Sequence, residues 1–269
     1  MRFTIDSSAS NCPAKGDSIL DEISEGGDAE EVLIRYCCLG GMIKDDGRPE
    51  LVDVHVGSDM LDSKRIFNVS KPFLCSASEF FDKALNGRFK EGATGQIDLP
   101  DILPATFASF LHWLIADTIY PSYVADDMPT GGTLILAVRV AIFGDRIRNT
   151  KLQNTAIRAI YGLARYCDIE LDLMQSSLDE TYKGTPPEHP LRKLLAVICA
   201  LQFLYSGLPG GGDRTKGDKS ALLECINEHE SFMEDFWCQI TAIAAGGSPF
   251  ELPEKVDAYL VKRYKSGDA

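Results

Sequence analysis

The alternation of apolar and polar residues predicts that ordered structure begins at Leu51. Residues 51–56 alternate weakly and are rich in β-branched side chains, and residues 65–69 repeat this pattern after a polar connection. Two such runs indicate an antiparallel hairpin with a long loop. Residues 96–99, ended by Pro100, predict a further short strand, and residues 118–120 another.

Apolar residues at helical spacing lie between these strands and after them. Ser70 is placed to cap a helix that opens near Pro72, where the missing N–H of proline does no harm. Four apolar residues share one face of this helix at offsets 0, 4, 7 and 11: Phe73, Ala77, Phe80 and Ala84. A second helix opens at Pro104, and its amphipathic stripe is Phe107, Phe110, Leu111, Leu114 and Ile115.

From residue 133 onward, the sequence pattern is typical of helices. Residues 134–143 are apolar almost all round, which predicts a buried helix, and Asn149 with Thr150 offers a cap for the next one. The prolines of 183–190 break the chain. Helices are then expected at 191–206, 218–244 and 253–264, with loops at 125–132 and 207–217.

Charge and cysteine content limit the classes of binding partner and the cellular compartments that fit this chain. The 269 residues carry 27 basic and 40 acidic side chains, a net charge of −13, which disfavours direct contact with nucleic acid or anionic lipid. The eight cysteines form no paired framework, and no apolar run approaches the ~20 residues that span a bilayer. We therefore expect an intracellular protein, cytoplasmic or nuclear.

Candidate catalytic and metal-binding groups are incomplete. Cys225 and His229 lie four residues apart on a predicted helix, but no C-x-x-C or second histidine pair completes a zinc site. The glycine-rich run at 210–217 lacks the Gly-Lys-Ser/Thr ending of a phosphate-binding loop. We interpret His229 as a surface residue, and His55 and His112 as hydrogen-bonded core residues. No cofactor, metal or enzymatic activity is expected.

The order of residue types at 67–91 resembles the centre of a BTB/POZ domain. Asp53 matches the acidic residue of that family's first core strand, and Lys71 matches the lysine of its His-Lys pair, whose histidine is Ser70 here. Phe80 and Phe81 match its aromatic pair. Residues 97–101, 107–114 and 140–154 continue the resemblance, the last in a form similar to that of filamentous fungi.

The resemblance implies an α+β fold in which helices cover a small sheet, followed by an all-α region. Together with the acidic, polar composition of the first residues, it divides the chain into an acidic, largely disordered tail at 1–47, a BTB/POZ domain at 48–165 and a helical region at 166–269.

The resemblance also implies protein–protein interaction. BTB adaptors of cullin-3 ubiquitin ligases carry a hydrophobic-x-Glu motif after the central helix, and Phe89, Lys90 and Glu91 occupy that place. An exposed aromatic residue flanked by charge suits a binding hot spot. The partner would be cullin-3, with the C-terminal helices presenting a substrate. The alternatives are a scaffold that associates as a homodimer without a ligase and, less favoured, an enzyme or a metal protein.

Overall fold

A three-stranded sheet opens the ordered part of the chain. In the computed structural model, the described residues are 50–58, 64–119, 130–166, 171–205, 224, 228–245 and 255–262. Strands β1 (Leu51–Val56), β2 (Arg65–Ser70) and β3 (Gln96–Leu99) form a sheet of order β2-β1-β3. Val54 of β1 lies opposite Phe67 of the antiparallel β2 and opposite Ile97 of the parallel β3. The predicted hairpin and the third strand are confirmed.

Only one face of this sheet is buried. Alternate residues of β1 (Val52, Val54 and Val56) are inaccessible to solvent or nearly so, and the strand residues between them are not. On the outer face, Asn68 Nδ2 donates to Asp53 Oδ1 at 3.0 Å. A sheet with one apolar face must bury that face against another layer of secondary structure.

Helices make up most of the remaining described chain. They are α1 (Lys71–Ala77), α2 (Glu79–Asn86), α3 (Lys90–Thr94), α4 (Pro104–Ala116), α5 (Thr130–Arg146), α6 (Thr150–Tyr166), α7 (Leu171–Gly184), α8 (Pro190–Tyr205) and α9 (Glu230–Ala244), with a 3₁₀ turn at Val256–Tyr259. The helix opening at Pro104, the buried helix at 134–143 and the break before Pro190 are confirmed. No helix in the described part of the chain is long and apolar enough to cross a membrane.

The prediction of one helix after Ser70 is wrong. Ser78 has an extended backbone that separates α1 from α2, and its Oγ accepts a hydrogen bond from the Phe80 N–H at 3.1 Å. The same hydroxyl donates to the Ile147 carbonyl at 2.6 Å, a contact between residues far apart in the sequence. The fully buried side chains of α1 and α2 are Leu74, Phe81 and Leu85, whereas the predicted face is only half-buried.

Three other local predictions are wrong. Ser70 is buried but makes no side-chain cap to α1; the N–H of Lys71, the first residue of α1, donates to the Glu50 carbonyl at 2.8 Å. Thr118 and Ile119 are not in a strand. The helix expected at 253–264 is a single 3₁₀ turn in its described part. Outside the described residues lie the tail at 1–47, the loop at 207–217 and most of 218–229. Of the loop expected at 125–132, residues 130–132 belong to α5 instead.

Polar contacts join the helical region after residue 166 to the sheet-bearing half. Arg139 of α5 donates to Glu180 of α7, with Nε to Oε1 at 2.8 Å. The Asn154 side chain of α6 exchanges two hydrogen bonds with the Val261 backbone, at 3.1 and 2.8 Å. Because each contact joins particular polar groups, the C-terminal region has a defined position against α5 and α6.

Asn149 should be an important local contributor to stability. Its Oδ1 accepts from the Leu152 N–H at 2.9 Å, and its Nδ2 donates to the Ala77 carbonyl at 2.8 Å. We expect Asn149→Ala to lower the free energy of unfolding by about 1–3 kcal/mol, since a cap and a buried hydrogen bond are lost together. Asn149→Ser, which retains the cap alone, should fall between, as measured by urea denaturation. Equal stability of Asn149→Ala and the wild type would contradict this role.

His189 should make the fold sensitive to acid. Burial lowers the pKa of this imidazole, although Asp145 opposes the shift and Arg192 adds to it. Its Nδ1 accepts from the Leu191 N–H at 3.2 Å, so the neutral ring is the one that fits. The unfolded chain binds a proton at a pKa of about 6.5 and the native chain only below that, so stability should fall as the pH drops below about 6.5.

The matched variant is His189→Asn, which can still accept from Leu191 but does not titrate. Urea denaturation at pH 8, 6 and 5 should give a shallower loss of stability for this variant than for the wild type. Parallel losses in the two proteins would assign the acid sensitivity to other groups.

Candidate functional site

Phe89 has the largest exposed fraction, 62%, among the large apolar side chains of the described residues. It lies in the short connection between α2 and α3, and its extended backbone immediately precedes Lys90. Solvent-exposed phenylalanine is unfavourable by itself, since burial of such a ring is worth about 1.5–3 kcal/mol. A ring held in this position is therefore a candidate contact residue.

Glycines fix the shape of this connection. A Cβ at Gly87 would lie 2.2 Å from the Lys83 carbonyl oxygen, and one at Gly92 would lie 2.8 Å from the Leu85 carbonyl oxygen. The backbone therefore folds closely against the end of α2. Gly95, with φ of 67°, ends α3 in the left-handed region that favours glycine, and its carbonyl accepts from the Asp53 N–H at 2.9 Å.

A groove of about 530 Å³ lies beside Phe89. Its lining combines apolar and charged side chains: Glu79, Phe80, Lys83, Ala84, Phe89, Glu91, Ile97, Asp98, Arg146 and Arg148. Glu91 is half-buried in it, whereas Lys90 is outside the lining and its ammonium lies 3.9 Å from the Asp98 carboxylate. The three consecutive residues proposed from the sequence thus differ: Phe89 and Glu91 share the groove, and Lys90 lies at its rim.

The end of α5 and its connection to α6 contribute two arginines to the lining of the groove. Arg146 is ion-paired with Asp101, while Arg148 is exposed and has a left-handed backbone, with φ of 55°. A non-glycine residue in that region is strained. Sequence reasoning missed both arginines, because nothing local signals that this turn lies beside Phe89. The Asn149 cap indicated where α6 begins but not what it faces.

The four residues matched to the family differ in burial. Phe81 is completely buried, and Phe80 is half-buried and lines the groove. Lys71 is half-buried, with its ammonium 3.3 Å from the Glu50 carboxylate. Asp53 is exposed on the outer face of the sheet, so it is not a core residue; it orients Asn68 instead.

The histidines are hydrogen-bonded but not in the core. His55 and His112 are half-buried; His112 Nδ1 lies 2.8 Å from the Thr118 carbonyl oxygen, and His55 Nδ1 lies 3.2 Å from Gln96 Nε2. His229 is also half-buried rather than at the open surface.

His229 lies beside two carboxylates. It forms a group with Asp179 and Glu228 whose ligand atoms lie within 4.8 Å of one another, and Cys225 lies outside the described residues. Asp179 is already bonded to Lys183 and His229, and these contacts hold the pKa of its carboxyl below the ordinary value. The arrangement is explained by hydrogen bonding and ion pairing.

Residues 45–139 match the family model of the BTB/POZ domain. The chain contains a BTB/POZ domain. No curated protein and no solved structure matches the chain significantly. The BTB domain has a small three-stranded sheet covered by helices and is followed by a helical C-terminal region, as expected. BTB domains mediate protein–protein interactions, and Phe89 lies within the matched residues. Because the match ends within α5, the limits 48 and 165 remain predictions.

Gly87 should tolerate no side chain. We expect Gly87→Ala to lower the free energy of unfolding by about 1–3 kcal/mol, because its Cβ would overlap the Lys83 carbonyl oxygen. Gly162→Ala in α6 is the matched control. A Cβ there meets nothing within 4 Å, and the change should raise stability by about 0.5–1 kcal/mol. Thermal and urea denaturation measure both; equal stability of the two variants would contradict the tight connection.

Proposed function

We propose that this protein is a non-enzymatic interaction protein whose BTB domain binds a partner through Phe89 and the adjoining groove. The candidate partner is the N-terminal domain of cullin-3, which would make the protein a substrate adaptor of a ubiquitin ligase in the cytoplasm or nucleus. The observation that carries the proposal is the 62% exposure of Phe89 beside a groove of about 530 Å³.

The physical case begins with the aromatic ring. Aromatic side chains that become fully buried on association dominate the energetics of many interfaces, surrounded by a polar rim that excludes water. Phe89 has this setting: Lys90 lies at the rim, and Phe80 and Ala84 offer apolar surface beside the ring. The close-packed Gly87 limits movement of the loop, which reduces the conformational entropy lost on binding.

Glu91 supplies a directional contact. Glu91 is two residues after Phe89, is half-buried as a residue and lines the same groove. A carboxylate that a bound partner shields from water forms stronger hydrogen bonds than one in open water. It would therefore fix the orientation of a partner that donates a hydrogen bond, while Phe89 provides most of the affinity.

An adaptor needs another surface for its substrate. The C-terminal region at 166–269 would supply it, and removing the whole region is a poor test. Its helix α7 is bonded to α5 by the Arg139–Glu180 ion pair, so deletion would also expose the BTB domain. Point substitutions separate the two functions more cleanly.

The binding test compares wild-type protein with Phe89→Ala and Glu91→Lys in a pull-down of the cullin-3 N-terminal domain. A hot-spot phenylalanine removed from an interface costs about 2 kcal/mol or more, so we expect an affinity loss of about 30-fold or greater for Phe89→Ala. Glu91→Lys should also weaken binding, because the charge that orients the partner is reversed.

Ile66→Ala is the matched control. Ile66 is an exposed apolar residue, at 53%, on β2 and outside the groove, so its variant should bind like the wild type. Circular dichroism establishes that each variant is folded. Absence of binding by the wild type would reject the cullin-3 assignment and favour the scaffold that associates with itself, which sedimentation would detect as a dimer.

A further inference from the structure

Helix α9 presents a second exposed apolar surface. Met233 and Trp237 are 37% and 49% exposed and lie four residues apart, so their side chains are neighbours on the helix. Phe232 and Phe236, which directly precede them in the sequence, are fully buried and anchor α9. The strip beside the buried one thus exposes two large apolar side chains, which packing of the helix onto its core does not require.

The position of α9 is well defined by specific contacts. The Tyr182 hydroxyl of α7 donates to Asp235 at 2.7 Å, and Phe236 packs against Phe203 of α8 with ring centroids 5.6 Å apart. The Trp237 ring meets the Phe236 ring edge-on at 5.4 Å. Trp237 is therefore held on a buried aromatic base and offers its remaining surface to a ligand.

The charge beside this stripe is uniformly negative. Glu230 and Glu234 lie next to Met233 and Trp237 on the exposed side of α9, and the helix contains no lysine or arginine. The structure shows no ion pair for either carboxylate within the described residues. Like charges four residues apart on a helix repel each other, and a cation placed between them would relieve this repulsion.

We propose that the outer face of α9, formed by Glu230, Met233, Glu234 and Trp237, is a docking surface for a basic, apolar segment of a partner protein. Tryptophan is the best aromatic acceptor for a cation above its ring, and the two glutamates suit the same arginine or lysine. Methionine adapts its shape to varied apolar side chains. This surface is separate from the Phe89 groove, so either proposal can fail alone.

Charge separates this occupant from the alternatives. A second copy of the chain, docked face to face, would bring two sets of Glu230 and Glu234 together, and like charges across an interface are costly. An anionic lipid surface is disfavoured for the same reason, and the net charge of −13 adds to it. A cationic segment is the occupant that the exposed groups complement.

The test uses intrinsic tryptophan fluorescence of the full chain. There are two tryptophans, and Trp113 is buried, at 5% exposure, so acrylamide quenching reports mainly on Trp237. The probes are two synthetic amphipathic peptides of identical leucine spacing, one with arginine and one with glutamate at every polar position. We expect the arginine peptide to shift the emission to the blue and to protect it from quenching, and the glutamate peptide to do neither.

Variants assign the effect to the surface. Trp237→Phe should remove the fluorescence change, and by calorimetry Trp237→Ala should weaken binding of the arginine peptide about 30-fold. Glu230→Lys with Glu234→Lys should abolish binding. The control pair Glu188→Lys with Asp257→Lys makes the same change in net charge at exposed residues outside α9 and should bind normally, as should Phe89→Ala.

Four results would overturn the proposal. Equal binding of the two peptides, or equal weakening by both charge-reversal pairs, would show that the attraction is not specific to α9. A blue shift that grows with protein concentration, together with a dimer in sedimentation, would assign the face to a second copy. Resistance of Trp237 to quenching in the free protein would show that the chain itself covers it.

Discussion

A buried cluster of phenylalanines holds the sheet and the helices of the BTB domain together. The rings of Phe67 and Phe107 lie 5.0 Å apart and join β2 to α4, and those of Phe81 and Phe110 lie 5.9 Å apart and join α2 to α4. Phe143 of α5 contacts Phe110 at 5.5 Å. Each buried ring contributes about 1.5–3 kcal/mol of transfer free energy, and edge-to-face pairs add to it. Four elements are therefore fixed around one centre.

The geometry of the Phe89 groove depends on this cluster. One wall carries Phe80, whose neighbour Phe81 is locked in the cluster, and the two rings contact each other at 5.3 Å. Arg148, which lines another part of the groove, is two residues after the end of α5. It directly follows Ile147, whose carbonyl accepts a hydrogen bond from the Ser78 hydroxyl at 2.6 Å. The groove is thus formed where two elements that are distant in sequence are drawn together by buried contacts.

Local signals predicted much of this fold, and non-local contacts account for what they missed. Pro104 and Asn149 mark helix starts through their own backbone chemistry, so the sequence suffices there. Ser70 and Ser78 are both suitable helix caps by sequence, but only Ser78 caps its helix. The Ser78 hydroxyl also donates to the carbonyl of Ile147, sixty-nine residues later in the chain, and the local sequence does not reveal this contact. Phe89 and Glu91 were likewise suggested by a local motif. Arg148 was not, because its place in the groove depends on tertiary packing.

A series of side-chain contacts connects the C-terminal helices to the BTB domain. Arg139 connects α5 to α7, Tyr182 connects α7 to α9, and Phe203 connects α8 to α9. The first two contacts are polar and the third is a pair of aromatic rings, so each joins two particular side chains. A partner bound at Phe89 and a basic segment bound at Trp237 would therefore stand at a defined separation. An adaptor requires that relation, since a ligase can modify only a substrate that is held within reach.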